Sequence, residues 1–189
     1  MAADIGLVVM LFNTELTPAA NAAQLQAGDT LAICGDSITE QKEYSVFIED
    51  YLLMCQPAPD LKVHQFGWSG EKAGGLLNRM RTDVLPFHPT VATTCYGMND
   101  GAYAAIDPAR QEAYRKNTEA IIKTFRDGGI RLIVVGSPEL VDTYTFDRVP
   151  GRSYPAANYN RTLADLARIA REVAAEQGVI YADIYTPMA

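Results

Sequence analysis

The sequence predicts an α/β protein built on a five-stranded parallel sheet with helices on both faces. Two observations carry that reading. Short apolar runs alternate along the chain with stretches of helical period, and the runs are continuously apolar, as strands covered on both faces are. The five runs are residues 30–34, 61–66, 91–96, 130–135 and 179–184. The strongest helical spacings are Tyr114, Thr118, Ile121 and Phe125, and later Leu163, Leu166, Ala167, Ala170, Val173 and Ala174. Gly128-Gly129 and Gly178 follow these two helices directly, where a helix C-terminus favours glycine. The right-handed crossover rule then leaves a few doubly wound arrangements, in which a ligand sits at the carboxyl ends of the strands.

A chain of 189 residues, 48% hydrophobic and 21% charged, suits one domain with a sizeable core. That domain is expected over residues 29–189, behind an N-terminal segment at 1–28. The net charge of −7 and the absence of any basic residue before Lys42 argue against a nucleic-acid partner. No run approaches the roughly 18 to 20 apolar residues that span a bilayer. Residues 5–12 are apolar and Ala20-Asn21-Ala22 has the small-x-small form of a signal-peptidase site, but Asp4 stands where a basic n-region belongs. Localisation stays open between export and the cytoplasm. Cys34, Cys55 and Cys95 are sparse, odd in number and without metal-ligand spacing, and are expected as buried thiols rather than a disulfide scaffold.

Three polar, glycine-bearing clusters follow the first three strands: Gly35-Asp36-Ser37, Gly67-Trp68-Ser69-Gly70 and Gly97-Met98-Asn99-Asp100. They converge on one rim of the predicted sheet. Ser37 falls at a helix start, where free backbone N–H groups favour a developing oxyanion, which makes it a candidate nucleophile. The plainer reading is that Asp36-Ser37 only caps that helix. Gly70 can present a backbone N–H and Asn99 a side-chain NH₂ to the same pocket. A hydroxyl, a backbone donor and an amide donor together are what acyl transfer requires. A Ser69 nucleophile elbow fits poorly, because Glu71 occupies the last glycine position of G-x-S-x-G. Neither phosphate-binding glycine motif occurs, and Asp142, Asp147 and Asp183 are dispersed, so no metal or organic cofactor is called for. Asn160-Arg161-Thr162 has the form of a glycosylation sequon and is expected to lie on the surface at a helix start.

On these residues the chain resembles the SGNH (GDSL-like) hydrolases. Gly35-Asp36-Ser37-Ile38-Thr39 resembles their first block, Gly70 within Gly67-Trp68-Ser69-Gly70-Glu71 the second, and Gly97-Met98-Asn99-Asp100 the third, from about Asp29 onward. The resemblance implies a flavodoxin-like three-layer α/β/α fold, Ser37 as nucleophile, and an oxyanion hole from the Ser37 and Gly70 amides with Asn99. It also implies ester hydrolysis without metal or organic cofactor. The family carries a further Asp-x-x-His block after the fifth strand, and here Tyr185-Thr186-Pro187-Met188-Ala189 contain no His. His64 and His88 match no catalytic position of the family and are expected to be structural. The expectation is therefore a C-terminally truncated hydrolase with weak or no activity as it stands. A second copy or a complementing chain would supply the last helix, and exposed apolar surface would favour association. The competing expectation is a non-catalytic binding or assembly module on the same scaffold.

For substrate, the sequence offers rim composition alone. Trp68, Tyr96 and Tyr103, with Tyr144, Phe146, Tyr154 and Tyr159 in a long connection over residues 138–160, could line a carbohydrate cleft or simply pack the loop. No long apolar lid suited to a fatty chain is present. The expected substrate is a short-chain ester, possible acetyl groups on carbohydrate included.

Overall fold

The computed structural model describes residues 24–189. Five strands, β1 (Thr30–Gly35), β2 (Lys62–Gly67), β3 (Val91–Cys95), β4 (Leu132–Gly136) and β5 (Ile180–Ala182), form one sheet in the order β2-β1-β3-β4-β5. Every pairing is parallel. The connecting helices are α1 (Ser37–Glu40), α2 (Glu43–Cys55), α3 (Ala73–Arg79), α4 (Pro108–Asp127), α5 (Thr143–Phe146), α6 (Ala156–Gln177) and α7 (Tyr185–Met188). The expected α/β/α sandwich is the observed one. Its strand order reverses at β1, flanked by β2 and β3, so the crevice at the switch point opens at the carboxyl end of β1, directly before Ser37.

The period-two alternation of β1 divides the core. Ala32 and Cys34 face a large cluster with Leu76 and Met80, with Tyr114, Ile121 and Phe125 of α4, and with Leu166, Ala170 and Val173 of α6. Leu31 and Ile33 face a smaller cluster with Leu52 of α2, Val91 and Leu132. A third cluster lies at the loops that leave the sheet, where Met98, Phe146, Ala156, Tyr159 and Leu163 pack together.

Local chemistry explains the long helices. Asp107 caps α4 by accepting from Arg110 N–H, and Pro108 occupies the first helical position, where its missing donor costs nothing. Helix α6 ends as Gly178 turns left-handed at φ 60°, and the Val179 N–H returns to the Ala174 carbonyl.

The differences from expectation have local causes. The fifth strand stops at Ala182 because the Ser137 hydroxyl takes the N–H groups of Ile184 and Tyr185, at 2.9 and 2.8 Å, and turns the chain away from the sheet. The connection expected over residues 138–160 is folded. Asp142 caps α5, Asp147 accepts from the Ala156 N–H at 2.7 Å, and α6 begins at Ala156. Asn160, expected at the surface of a helix start, lies half-buried in the second turn of α6, where it accepts from the Val141 N–H at 2.9 Å and donates to the Val141 carbonyl at 3.0 Å, pinning the connection to the helix. Cys34 and Cys95 are buried free thiols as expected, whereas Cys55, the last residue of α2, is exposed. Residues 1–23, with the apolar run and the small-x-small site, lie outside the described residues. Among the described residues, no helix is long and apolar enough to cross a membrane.

Gly67 shows how tightly the first two loops meet. A Cβ at this position would stand 2.1 Å from the Glu40 backbone nitrogen and 2.5 Å from its Cα, atoms that cannot yield without moving α1. Gly67→Ala is expected to lower stability by about 2–3 kcal/mol, read as a reduced denaturant midpoint at unchanged m-value.

Candidate active site

Ser37 opens α1 at the carboxyl end of β1 and is half-buried. Asp36 before it is the helix cap, its Oδ1 accepting from the Ile38 N–H at 3.0 Å. The cap is thus Asp36 and not Ser37, whose hydroxyl forms no hydrogen bond among the described residues.

The second loop leaves β2 beside the first, tied by the Trp68 N–H to the Gly35 carbonyl at 3.0 Å. Gly70 has φ 72° and lies exposed, in a turn closed by the Glu71 N–H to the Trp68 carbonyl at 3.1 Å. A Cβ there would meet nothing within 4 Å, so glycine is required for the left-handed backbone rather than for space. The Gly70 N–H has no backbone acceptor among the described residues.

Glu71 anchors this turn. Its buried carboxylate accepts from Arg79 Nε and Nη2, both at 2.7 Å, and from the Tyr96 hydroxyl at 2.7 Å. Arg79 Nη2 also donates to the Phe66 carbonyl at 2.8 Å, and the Tyr96 hydroxyl lies 3.2 Å from the Gly35 carbonyl. Burial, reinforced by the neighbouring Glu71, holds the Tyr96 phenol well above its ordinary range, so it remains a donor. One carboxylate thus receives a bidentate guanidinium and a phenol, and its partners hold the ends of β1 and β2.

The third loop closes the arrangement. Asn99 is buried, and its Nδ2 donates to the Glu71 carbonyl at 3.0 Å and to Asp36 Oδ2 at 3.3 Å. These two contacts bring the Ser37, Gly70 and Asn99 loops together. Asp100 accepts from the Ala73 N–H at 3.2 Å and so caps α3 from a distant part of the chain. Gly101 lets this turn pass over Tyr159: a Cβ would lie 2.6 Å from the Tyr159 hydroxyl, which donates to the Met98 carbonyl.

Carboxylates crowd this rim. Asp36 is pushed up to about 6, chiefly by burial and further by the charges of Glu139 and Asp100. Asp100 is likewise pushed up to about 6 by burial. Glu139, three residues beyond β4, is raised by burial and accepts from the Cys95 thiol at 3.2 Å. Burial pushes Cys34 up to about 12 and Cys95 well above its ordinary value, so both stay protonated thiols rather than nucleophiles. Sequence reading missed Glu71, Arg79 and Glu139 as members of this region. Glu139 carried a signal, since Ser137-Pro138-Glu139 leaves a fourth strand toward the same edge.

The aromatic residues divide. Tyr96, Phe146 and Tyr159 are core residues, while Trp68 and Tyr144 are exposed and Tyr103 and Tyr154 half-buried. His64 sits within β2, level with Ala32 of β1 and against Phe66 and Phe87, and His88 precedes β3. Neither stands at the carboxyl rim. Among the described residues, no cluster of three or more His, Cys, Asp or Glu side chains is arranged to hold a metal ion.

Arg79→Met leaves the Glu71 carboxylate buried without its cation and is expected to cost about 3–5 kcal/mol by chemical denaturation. Asp100 binds its proton more tightly folded than unfolded, because its folded pKa is near 6 against an ordinary 3.8. Its contribution to stability is therefore fullest below the unfolded value and is lost as pH rises from about 4 through 6. Asp100→Asn keeps an acceptor for Ala73 and cannot ionise. Relative to the unaltered protein it is expected to gain about 2 kcal/mol at pH 7.5 and close to nothing near pH 4, measured by thermal unfolding at both.

No curated protein matches the chain in sequence. Among solved structures, a catalytic variant of an acetylxylan esterase from Geobacillus stearothermophilus superposes with a TM-score of 0.70 at 18% identity, over 87% of this chain and 80% of that one. An α/β hydrolase enzyme from the metagenome of Lake Arreo, Spain, gives 0.67 at 18% identity, over 85% and 79%. A gut microbial diltiazem-metabolizing enzyme gives 0.71 at 25% identity, over 88% of this chain and 40% of that one. The first two likenesses, at such low identity, speak to the fold alone. The family model matches residues 33–189, across all three loops, and the chain belongs to the GDSL-like lipase/acylhydrolase family of serine ester hydrolases.

Proposed function

We propose that this protein cleaves short-chain esters, with acetyl groups on a carbohydrate carrier as the favoured substrate class. One observation carries the reading: Asn99 Nδ2 lies within hydrogen-bond reach of both Asp36 and the Glu71 carbonyl, which gathers Ser37, Gly70 and Asn99 at the switch point of the sheet. In this reading the Ser37 hydroxyl attacks the ester carbonyl carbon. The carbonyl oxygen takes up the negative charge against the Ser37 and Gly70 N–H groups and Asn99 Nδ2. The alcohol leaves, and water then releases the acid from the acyl-serine. Asn99 Nδ2 has two hydrogens, so the longer contact, to Asp36, is the one given up to the oxyanion.

The acyl preference draws on the solved acetylxylan esterase of like fold and on the exposed ring of Trp68 in the second of these loops. The proton of Ser37 needs an acceptor, and neither His64 nor His88 stands at this rim. In the family's pattern that acceptor is a His that follows the fifth strand, and residues 183–189 contain none. Loss of a triad member commonly costs on the order of 10⁴–10⁶ in turnover, so these 189 residues alone are expected to be slow. The same observation about the histidines favours a second reading, a non-catalytic binding module.

p-Nitrophenyl acetate separates the two. Mass spectrometry of the protein after exposure is expected to find one acetyl group on the peptide carrying Ser37 and none there in Ser37→Ala, with turnover well under about 10 s⁻¹. p-Nitrophenyl decanoate is expected to react more slowly than the acetate. An unmodified Ser37 would favour the binding module, and faster reaction with decanoate would overturn the short-chain preference.

A further inference from the structure

Three features around the third loop have no part in the reaction as described. Ala102 and Tyr103 are consecutive non-glycine residues with positive φ, 54° and 53°, a conformation that L residues avoid because Cβ crowds the backbone. The Tyr103 hydroxyl donates to Asn99 Oδ1 at 3.0 Å. Arg152, in the connection between α5 and α6, holds its guanidinium 4.0 Å from the centre of the Tyr103 ring and 4.1 Å from that of Phe146, and its Nη1 is buried with no hydrogen-bond partner.

We propose that Tyr103 is a positioning residue for Asn99, clamped in place by Arg152, and that it sets both the orientation and the donor strength of the amide that meets the oxyanion. The inference rests on the reading of Asn99 as an oxyanion donor. A side-chain amide is nearly symmetric in shape, and a half-turn exchanges Oδ1 for Nδ2. That half-turn would aim an acceptor at the Glu71 carbonyl and the Asp36 carboxylate, and at the oxyanion as it forms. Tyr103 opposes it by giving Oδ1 a donor of its own. A hydrogen bond received at Oδ1 also draws electron density from Nδ2 and strengthens its N–H as a donor, as in any chain of polarised hydrogen bonds.

The remaining observations explain how the phenol stays put. The Tyr103 ring lies 5.2 Å from that of Tyr159 and 6.1 Å from that of Phe146, with the Arg152 cation over its face. Against two aromatic faces the guanidinium is held by π-electrons where no lone pair is in reach, which accounts for the unpartnered Nη1. These contacts hold a backbone that would otherwise relax from its left-handed turn, and strain concentrated beside a site residue is a mark of positioning. The clamp comes from a different part of the chain, so the connection after β4 bears on the donor geometry of the loop after β3.

The test uses Tyr103→Phe, which keeps the ring and removes the hydroxyl, and Arg152→Gln, which keeps the hydroxyl and removes the clamp. Two readings are taken on each: the side-chain amide resonances of Asn99 by NMR, and the rate of Ser37 acetylation by p-nitrophenyl acetate as a function of ester concentration. Tyr103→Phe is expected to shift the Asn99 amide resonances and to slow acetylation about three- to tenfold at unchanged half-saturation, with thermal stability nearly intact. Arg152→Gln is expected to shift them in the same sense but less. Unmoved Asn99 resonances in Tyr103→Phe would overturn the proposal, as would a loss of rate that appears equally in Phe146→Leu at matched stability. Absence of acetylation in the unaltered protein would instead count against Asn99 as an oxyanion donor. The amide resonances would then still decide whether Tyr103 orients Asn99.

Discussion

The buried carboxylate of Glu71 carries more of this architecture than any other single group. It receives the Arg79 guanidinium by two nitrogens and the Tyr96 phenol, and its own backbone carbonyl receives Asn99. Arg79 reaches on to the Phe66 carbonyl and Tyr96 toward that of Gly35, so one side chain ties the exits of β1, β2 and β3. A charged group out of water is costly unless its lone pairs are matched, and here the matching donors come from two separate parts of the chain, Arg79 on α3 and Tyr96 after β3. That dependence makes the network a determinant of the loop geometry rather than a decoration on it. The turn that holds Gly70 has no other charged anchor among the described residues.

Around that anchor the rim is electrostatically uneven. Asp36, Asp100 and Glu139 approach one another with little solvent, and each is driven toward its neutral form by burial. Beside them lie the Lys72 cation, which acts on Asp100, and fixed dipoles: the first-turn N–H groups at Ser37, the left-handed Gly70 and the Asn99 amide. Fixed dipoles can meet a transient negative charge without reorganising, which suits acyl transfer, whereas a resident cation would be drawn to the carboxylates. The Asp36 to Asn99 contact, at 3.3 Å, is longer than the 3.0 Å contact from Asn99 to the Glu71 carbonyl.

The strands and the motif-bearing loops could be read from the sequence because the information is local. Continuous apolar runs, glycines at helix ends and polar clusters after each strand depend on neighbours a few residues away. The boundaries that failed were decided at long range. Ser137 ends β5 through N–H groups 47 and 48 residues later, and Asn160 turned inward to meet Val141 across 19 residues. The aromatic residues divide for the same reason: Tyr159 and Phe146 pack beneath the third loop while Trp68 and Tyr144 stay exposed, a distinction that ring chemistry does not carry.

Sequence alone settled the order of strands and helices, the place of Ser37, Gly70 and Asn99 on three successive loops, and a fold whose ligands sit where strands end. Each of those follows from short-range periodicity or from a rule of chain handedness. Tertiary structure decided what those residues touch. That Asn99 faces Asp36 and Glu71, that Arg79 neutralises a carboxylate eight residues before it, and that Arg152 reaches Tyr103 all depend on segments meeting in space. Hydrogen bonds and buried charges are sensitive to tenths of an ångström, and such distances arise only when the packed sheet has set the register of every loop it carries.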